Sequence, residues 1–245
     1  MENFFLNKNL LLRIKLFDMY HLFFVFLVIF FSLIVILNKN KIVKLDKITQ
    51  KKIRILFGCL LLIILVIKNG SLIYYESFDW KKNLDLGFCN FTSVMFIIYC
   101  FTGSKKIYPI CYLMTFIGPL ISILGPSYDI SPLNYNFYTF IIMHHLVFIF
   151  NLVFMFIENY KYDKKIFNKS VIFVLVYTIL IYIFDFLTDS IYNNPLLFVN
   201  PKYRFTETIN FLAYNYFTTI LVFYFVVYIL IYICKKTLVF LSENR

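Results

Sequence analysis

The chain has 245 residues, 61% of them hydrophobic and 22% aromatic, with only 15% charged and a mean hydropathy of +0.78. So few polar residues cannot cover an aqueous surface, which excludes a soluble domain. The net charge of +11 does not point to nucleic acid, because the 24 Lys and Arg residues sit in short loops between apolar runs, where anionic headgroups and membrane orientation account for them.

Residues 1–20 alternate apolar and basic side chains without a small-residue cleavage site, which predicts an interfacial segment leading into a retained first span. Apolar runs long enough to cross the hydrocarbon core follow at about 19–37, 54–74, 84–102, 107–124, 138–157, 170–189 and 209–234. Barrel strands would alternate with period two, whereas these runs are apolar on every face. The expected fold class is therefore all-α: a polytopic membrane helix bundle of about seven transmembrane helices, with residues 1–245 forming a single integral membrane domain. With the N-terminus outside, 16 of the 24 basic residues fall in inner segments and 8 in outer ones. That bias predicts a multi-pass plasma-membrane protein with its N-terminus outside and its C-terminus inside, although the basic N-terminal segment argues mildly the other way. The outer connection after the sixth span carries Asn193, Asn194, Pro195 and Pro201, which cannot continue a helix and predict a re-entrant or capping loop.

Polar residues collect in the outer half of this bundle. LDLGFCNFTSVMF, residues 84–96, opens the third span with Asp85, Cys89 and Asn90 where lipid-facing sequence would carry Leu and Phe. FIIMHHLVF places His144 and His145 in the fifth span, and counting from each outer boundary puts Cys89 and His144 at similar depths, roughly 8 and 9 Å. His21 begins the first span, while Asp185 and Asp189 end the sixth. Ionisable groups within a membrane cost several kcal/mol unless they face a cavity or a partner, so their convergence at one level reads as a site.

A thiol near a helix N-terminus has its thiolate favoured by the helix dipole, and an imidazole within reach can take its proton. Cys89 and His144 are thus candidates for covalent acyl transfer. Asp85, Asp185 or Asp189 could orient the imidazole, Asn90, Asn194 or backbone N–H groups could stabilise an oxyanion, and His145 and His21 are further supporting candidates. A bland reading stands beside each: Asp85 as a helix cap, His21 as an interfacial anchor and Lys68 as a snorkelling cation. Cys59, Cys100, Cys111 and Cys234 read as buried apolar thiols, and metal binding by Cys89 with the three histidines is the weaker alternative, because no HxxxH or CxxC spacing fixes ligands locally.

Five stretches, FDMYHLFFVF, LDLGFCNFTSV, YLMTFIGPLISILGPSYD, FYTFIIMHHLVF and NNPLLFVNPK, occur in the order seen in YwaF-like bacterial integral membrane proteins. That family is distantly similar to eukaryotic transmembrane acyltransferases that remodel ether phospholipids. The resemblance spans about residues 17–203. It implies Cys89 as the acyl-accepting nucleophile and His144 as the base, with its early HL pair on His21 and Leu22 and its GTNY-type turn near Asn193 and Asn194. The chain departs from the pattern where Asp85 and Gly87 replace Pro and His, where Pro195 replaces an aromatic, and where His145 stands in place of a small residue.

The expected function is lipid transacylation by an integral membrane enzyme, through a Cys89 thioester with His144 as base. Its partners are membrane phospholipids as acyl donor and acceptor; no metal, no cofactor and no nucleic acid is implied, and the sequence specifies no oligomeric state. The alternative is a small-solute transporter or its substrate-binding subunit, against which stands the lack of paired broken helices and inverted repeats.

Overall fold

The computed structural model describes residues 17–84, 86–124, 132–158 and 164–188, which form helices joined by turns, with no strand among them. In chain order these are α1 (Met19–Leu37), α2 (Lys39–Val43), α3 (Lys47–Tyr74), α4 (Trp80–Asn83), α5 (Phe88–Thr102), α6 (Tyr108–Leu124), α7 (Tyr135–Ile157) and α8 (Lys164–Thr188). The first six expected spans each correspond to one of the longer helices. The seventh, at 209–234, lies outside the described residues, as do the N-terminal interfacial segment and the loop at 190–208. By length and apolarity α1, α3 and α7 suffice to cross a membrane, and α5, α6 and α8 carry shorter apolar stretches.

Side-chain caps set several helix starts. Asp18 accepts from the His21 N–H ahead of α1, Asp46 from those of Ile48 and Thr49 ahead of α3, and Asn134 from that of Asn136 ahead of α7. Each satisfies N–H groups that the first turn of a helix leaves without an intrahelical partner.

The chain divides into two compact units, residues 1–78 with 92–160, and residues 79–91 with 161–245. In the first unit α7 is the hub, packed by α1, α2, α3 and α6. Two helices run antiparallel to it. Phe57 of α3 packs on Phe150 and Phe154 while Tyr135 reaches the Lys68 carbonyl, and Tyr108 of α6 reaches the Asn151 carbonyl while Phe116 meets Phe148. Their order along α7 is that of alternating passes through the bundle. The buried side chains Phe96, Tyr99, Tyr108, Phe154 and Phe156 fill one end of this core. The other surface is apolar: Phe26, Phe30, Leu33 and Leu37 of α1 are exposed, a face suited to lipid.

Two backbone approaches depend on glycine. A Cβ at Gly58 of α3 would stand 2.9 Å from the Cβ of Cys100 in α5 and about 3.1 Å from the Phe101 ring, so these helices meet at a distance only hydrogen allows. Gly103 ends α5 with φ +64°, the left-handed conformation that closes a helix C-terminus.

In the second unit Tyr177 of α8 holds the entrance to α5. Its ring stacks on Phe91 at 4.0 Å between centroids, and its hydroxyl donates to the Leu86 carbonyl.

Candidate functional site: three histidines and a helix-entry cysteine

All three histidines belong to the first unit, and their hydrogen bonds distinguish them. His21 is buried, with 3% of its surface exposed. Its Nδ1 accepts from the Phe17 N–H at 3.0 Å, and its Nε2 lies 3.1 Å from the Ile123 carbonyl of α6. One donor and one acceptor fix the neutral Nε2–H form. Phe17 adopts φ +66°, a conformation costly for a bulky residue, and in doing so directs its N–H to this ring. Both ring nitrogens being occupied, His21 ties the start of α1 to the end of α6.

His145 is occupied as well. Its Nδ1 lies 2.8 Å from the Ile141 carbonyl one turn earlier, and its Nε2 lies 2.9 Å from the Phe24 carbonyl of α1. The Phe24 ring meets it edge-on at 6.1 Å and meets Phe137 at 5.6 Å.

His144 differs. It is 4% exposed, its Nδ1 lies 2.6 Å from the Phe140 carbonyl, and its Nε2 is buried with no hydrogen-bond partner among the described residues. A carbonyl can only accept, so Nδ1 carries the proton and Nε2 presents a lone pair. The Phe140 ring, 4.2 Å away between centroids, packs against the imidazole. Lys68 of α3 and His145 lie within electrostatic reach of the ring, and the Tyr135 hydroxyl donates to the Lys68 carbonyl at 3.2 Å. Of the HH pair, then, His144 has the nitrogen available for proton transfer. Sequence could not separate the two, because what occupies His145 is a backbone carbonyl from another helix.

Cys89 belongs to the second unit and sits in the first turn of α5, half-buried and outside any disulfide. Tyr177 braces this turn from both sides, through Leu86 before the cysteine and Phe91 after it. Asn90 follows in the same turn, half-buried, and Thr92 and Ser93 are buried one turn on. Asp85, Asp189 and Asn194 lie outside the described residues, and so does the side chain of Asp185. Among the described residues no three His, Cys, Asp or Glu side chains gather as a metal-ion set.

A polar cluster that sequence reading treated only as loop charge lies at the far end of the first unit. The Tyr99 hydroxyl donates to Glu158 Oε1 at 2.7 Å, and Arg54 lies 3.8 Å from the same oxygen while its Nε–H donates to the Cys100 carbonyl at 3.1 Å. These contacts join α3, α5 and the end of α7. The available signal was Arg54 and Glu158, each at the boundary of an apolar run.

No curated protein and no solved structure matches the chain. The model of the TMEM164 family, however, matches residues 16–235, from just before α1 to beyond the last described helix. The helices long and apolar enough to cross a bilayer and this near-complete match lead to one conclusion: the chain is a membrane protein and belongs to the TMEM164 family.

Proposed function

We propose that this membrane protein transfers acyl chains between phospholipids, with Cys89 as nucleophile and His144 as base. The observation that carries the reading is the buried Nε2 of His144, a lone pair without a partner among the described residues, held in that form by the Phe140 carbonyl on Nδ1. A base in a dry site that already carries its proton on the other nitrogen is preorganised for transfer. The resemblance to YwaF-like proteins, with their distant acyltransferase relatives, supports the same pair.

In the first half-reaction Nε2 takes the Cys89 proton and sulfur attacks the donor ester carbonyl. The ester C–O bond breaks, the thioester forms, and the proton passes to the departing glycerol oxygen. In the second, Nε2 takes the proton of the acceptor hydroxyl, whose oxygen attacks the thioester; the S–C bond breaks and the proton returns to sulfur. Protons and electrons balance without metal or cofactor. The same reading makes the chain a multi-pass plasma-membrane protein of seven spans with its N-terminus outside. Ester bonds near the headgroup boundary then lie at the depth of the two residues, roughly 10 Å or less below it.

The test is purified protein in bilayers containing phospholipid with a radiolabelled acyl chain. Label on Cys89 that hydroxylamine releases, and that Cys89→Ala abolishes, is the expected result; equal labelling of Cys89→Ala overturns it.

A further inference from the structure

His145 has two hydrogen-bond acceptors facing it. The Ile141 carbonyl stands 2.8 Å from Nδ1 and the Phe24 carbonyl 2.9 Å from Nε2. A neutral imidazole carries one N–H and one lone pair, and a lone pair set against a carbonyl oxygen repels it. Serving both carbonyls takes two protons. His21 offers the contrast, since one N–H donor and one carbonyl fit a neutral ring.

We propose that His145 is a proton-dependent latch between α1 and α7, and a positioning residue for its neighbour His144. Doubly protonated, it holds the Ile141 carbonyl on its own helix and the Phe24 carbonyl on α1. When it loses a proton the two carbonyls compete for the one that remains, and the cross-helix bond weakens whenever Nδ1 wins. The consequence falls on the turn that carries His144, which follows α7 when α7 moves against α1.

Asp18 ahead of α1 accepts from the His21 backbone N–H, His21 has both ring nitrogens occupied, Lys68 comes from α3, Tyr108 of α6 is engaged at the Asn151 carbonyl, and His144 adjoins in sequence. Among the described residues none of these bonds to the His145 ring, whose hydrogen-bond partners are the two carbonyls.

Two measurements on the full chain in lipid nanodiscs test this, between about pH 5 and 8, where imidazoles ordinarily titrate. The first is the ring-nitrogen spectrum of protein labelled with 15N-histidine, each ring assigned by its disappearance in H21Q, H144Q or H145Q. His145 is expected to carry protons on both nitrogens at the acid end and to lose one on raising the pH, with His144 bare at Nε2 and His21 bare at Nδ1. The second is the distance between spin labels on the exposed faces of α1 and α7, expected to broaden as pH rises. In H145Q, whose amide does not titrate, that distance becomes insensitive to pH. A bare nitrogen on His145 at the acid end overturns the proposal, as does an α1–α7 distance that responds to pH identically in H145Q. If H145Q does not fold, the spectra of wild type, H21Q and H144Q assign His145 by elimination.

The link to His144 rests on the acyl-transfer reading. Loss of hydroxylamine-sensitive label with the nitrogen pattern intact removes that reading and leaves the latch. A bare His145 nitrogen with labelling intact does the reverse.

Discussion

His144 and His145 stand side by side on α7, and each directs Nδ1 to the carbonyl four residues earlier, at 2.6 and 2.8 Å. They part at Nε2. That of His145 reaches the Phe24 carbonyl, whereas that of His144 is buried without a hydrogen-bond partner among the described residues. Adjacent residues on a helix point about 100° apart, so one imidazole joins the packing of α1 and the other keeps its lone pair.

The first prediction follows from that lone pair. His144→Gln removes the proton acceptor while keeping a polar side chain of similar reach, and the rate of hydroxylamine-sensitive labelling should fall about 10²- to 10⁴-fold, the usual contribution of general base catalysis. Cys89 in the variant should still react with a small maleimide in detergent. Labelling at the wild-type rate would show that Nε2 takes no part. Substrate uptake into proteoliposomes that survived both this change and Cys89→Ser would favour transport instead.

The second concerns the entrance to α5. Tyr177→Phe keeps the ring that stacks on Phe91 but deletes the hydroxyl that donates to the Leu86 carbonyl. The net contribution of one such bond is about 0.5–1.5 kcal/mol, so the turn before Cys89 should open more often by roughly 2- to 13-fold. Hydrogen exchange of the amides around residues 86–89 is the direct measurement, and unchanged exchange would show that the stacked ring alone holds the turn.

Much of this architecture was legible in hydropathy, and its departures have physical causes. The third helix was expected from residue 54 but begins at Lys47, because the Asp46 cap and not the hydrocarbon boundary sets its start. The fifth expected span began at residue 138, yet Asn134 caps α7 and brings Tyr135 and Asn136 into the helix. An apolar count measures the stretch suited to lipid; helix ends answer to hydrogen bonds that polar residues make outside it. Sequence singled out His144 and His145 as polar interruptions but could not rank them, since the ranking depends on a carbonyl supplied by Phe24. The Arg54–Glu158–Tyr99 cluster was missed for a related reason. Positive charges near loops satisfy the orientation rule so readily that Arg54 did not stand out, and only packing brings Glu158, over a hundred residues away in sequence, to its side.

Third, two glycines of the same helix should respond oppositely to alanine. At Gly58 a methyl group meets the Cys100 Cβ at 2.9 Å, so α3 and α5 must separate, and overpacking of this kind costs about 1–3 kcal/mol. At Gly70 nothing lies within 4 Å, and alanine gains helix propensity of up to about 1 kcal/mol. Unfolding by graded denaturing detergent should therefore place Gly58→Ala below wild type and Gly70→Ala at or above it. The reverse order would exclude the close α3–α5 approach.

Fourth, the cap on α3 should be pH-dependent. The Thr49 hydroxyl, foremost, and the backbone N–H groups of Thr49 and Ile48 bond to the Asp46 carboxylate and hold it below the usual carboxylate range. A depressed folded value favours the capped state at and above the ordinary aspartate titration, near pH 4, and that preference fades as pH falls through the depressed value. Amide exchange at Ile48 and Thr49, corrected for intrinsic rates, should accelerate relative to mid-helix amides below about pH 4. Asp46→Asn, which still accepts but does not titrate, should remove the pH dependence; an unchanged profile in that variant would assign the response to another group.

Last, the Tyr99–Glu158–Arg54 cluster should behave as a coupled unit. Arg54 and Glu158 side chains are only 20% and 17% exposed, so removing either partner leaves the other half-desolvated. Arg54→Lys keeps the charge but loses the Nε–H that donates to the Cys100 carbonyl, and with it a capping bond for the last turn of α5. Lysine should therefore not rescue stability to the wild-type level. Gly103, whose Cβ would meet the Arg54 guanidinium at about 2.5 Å, shows how closely that group sits against the end of the helix. In a double-mutant cycle, Tyr99→Phe and Glu158→Gln should show a coupling of about 0.5–1.5 kcal/mol, because each deletes part of the same 2.7 Å hydrogen bond. Additive effects, with Arg54→Lys as stable as wild type, would mean that the aromatic packing of Tyr99 on Phe154 and Tyr108 holds this end of the bundle without the polar cluster.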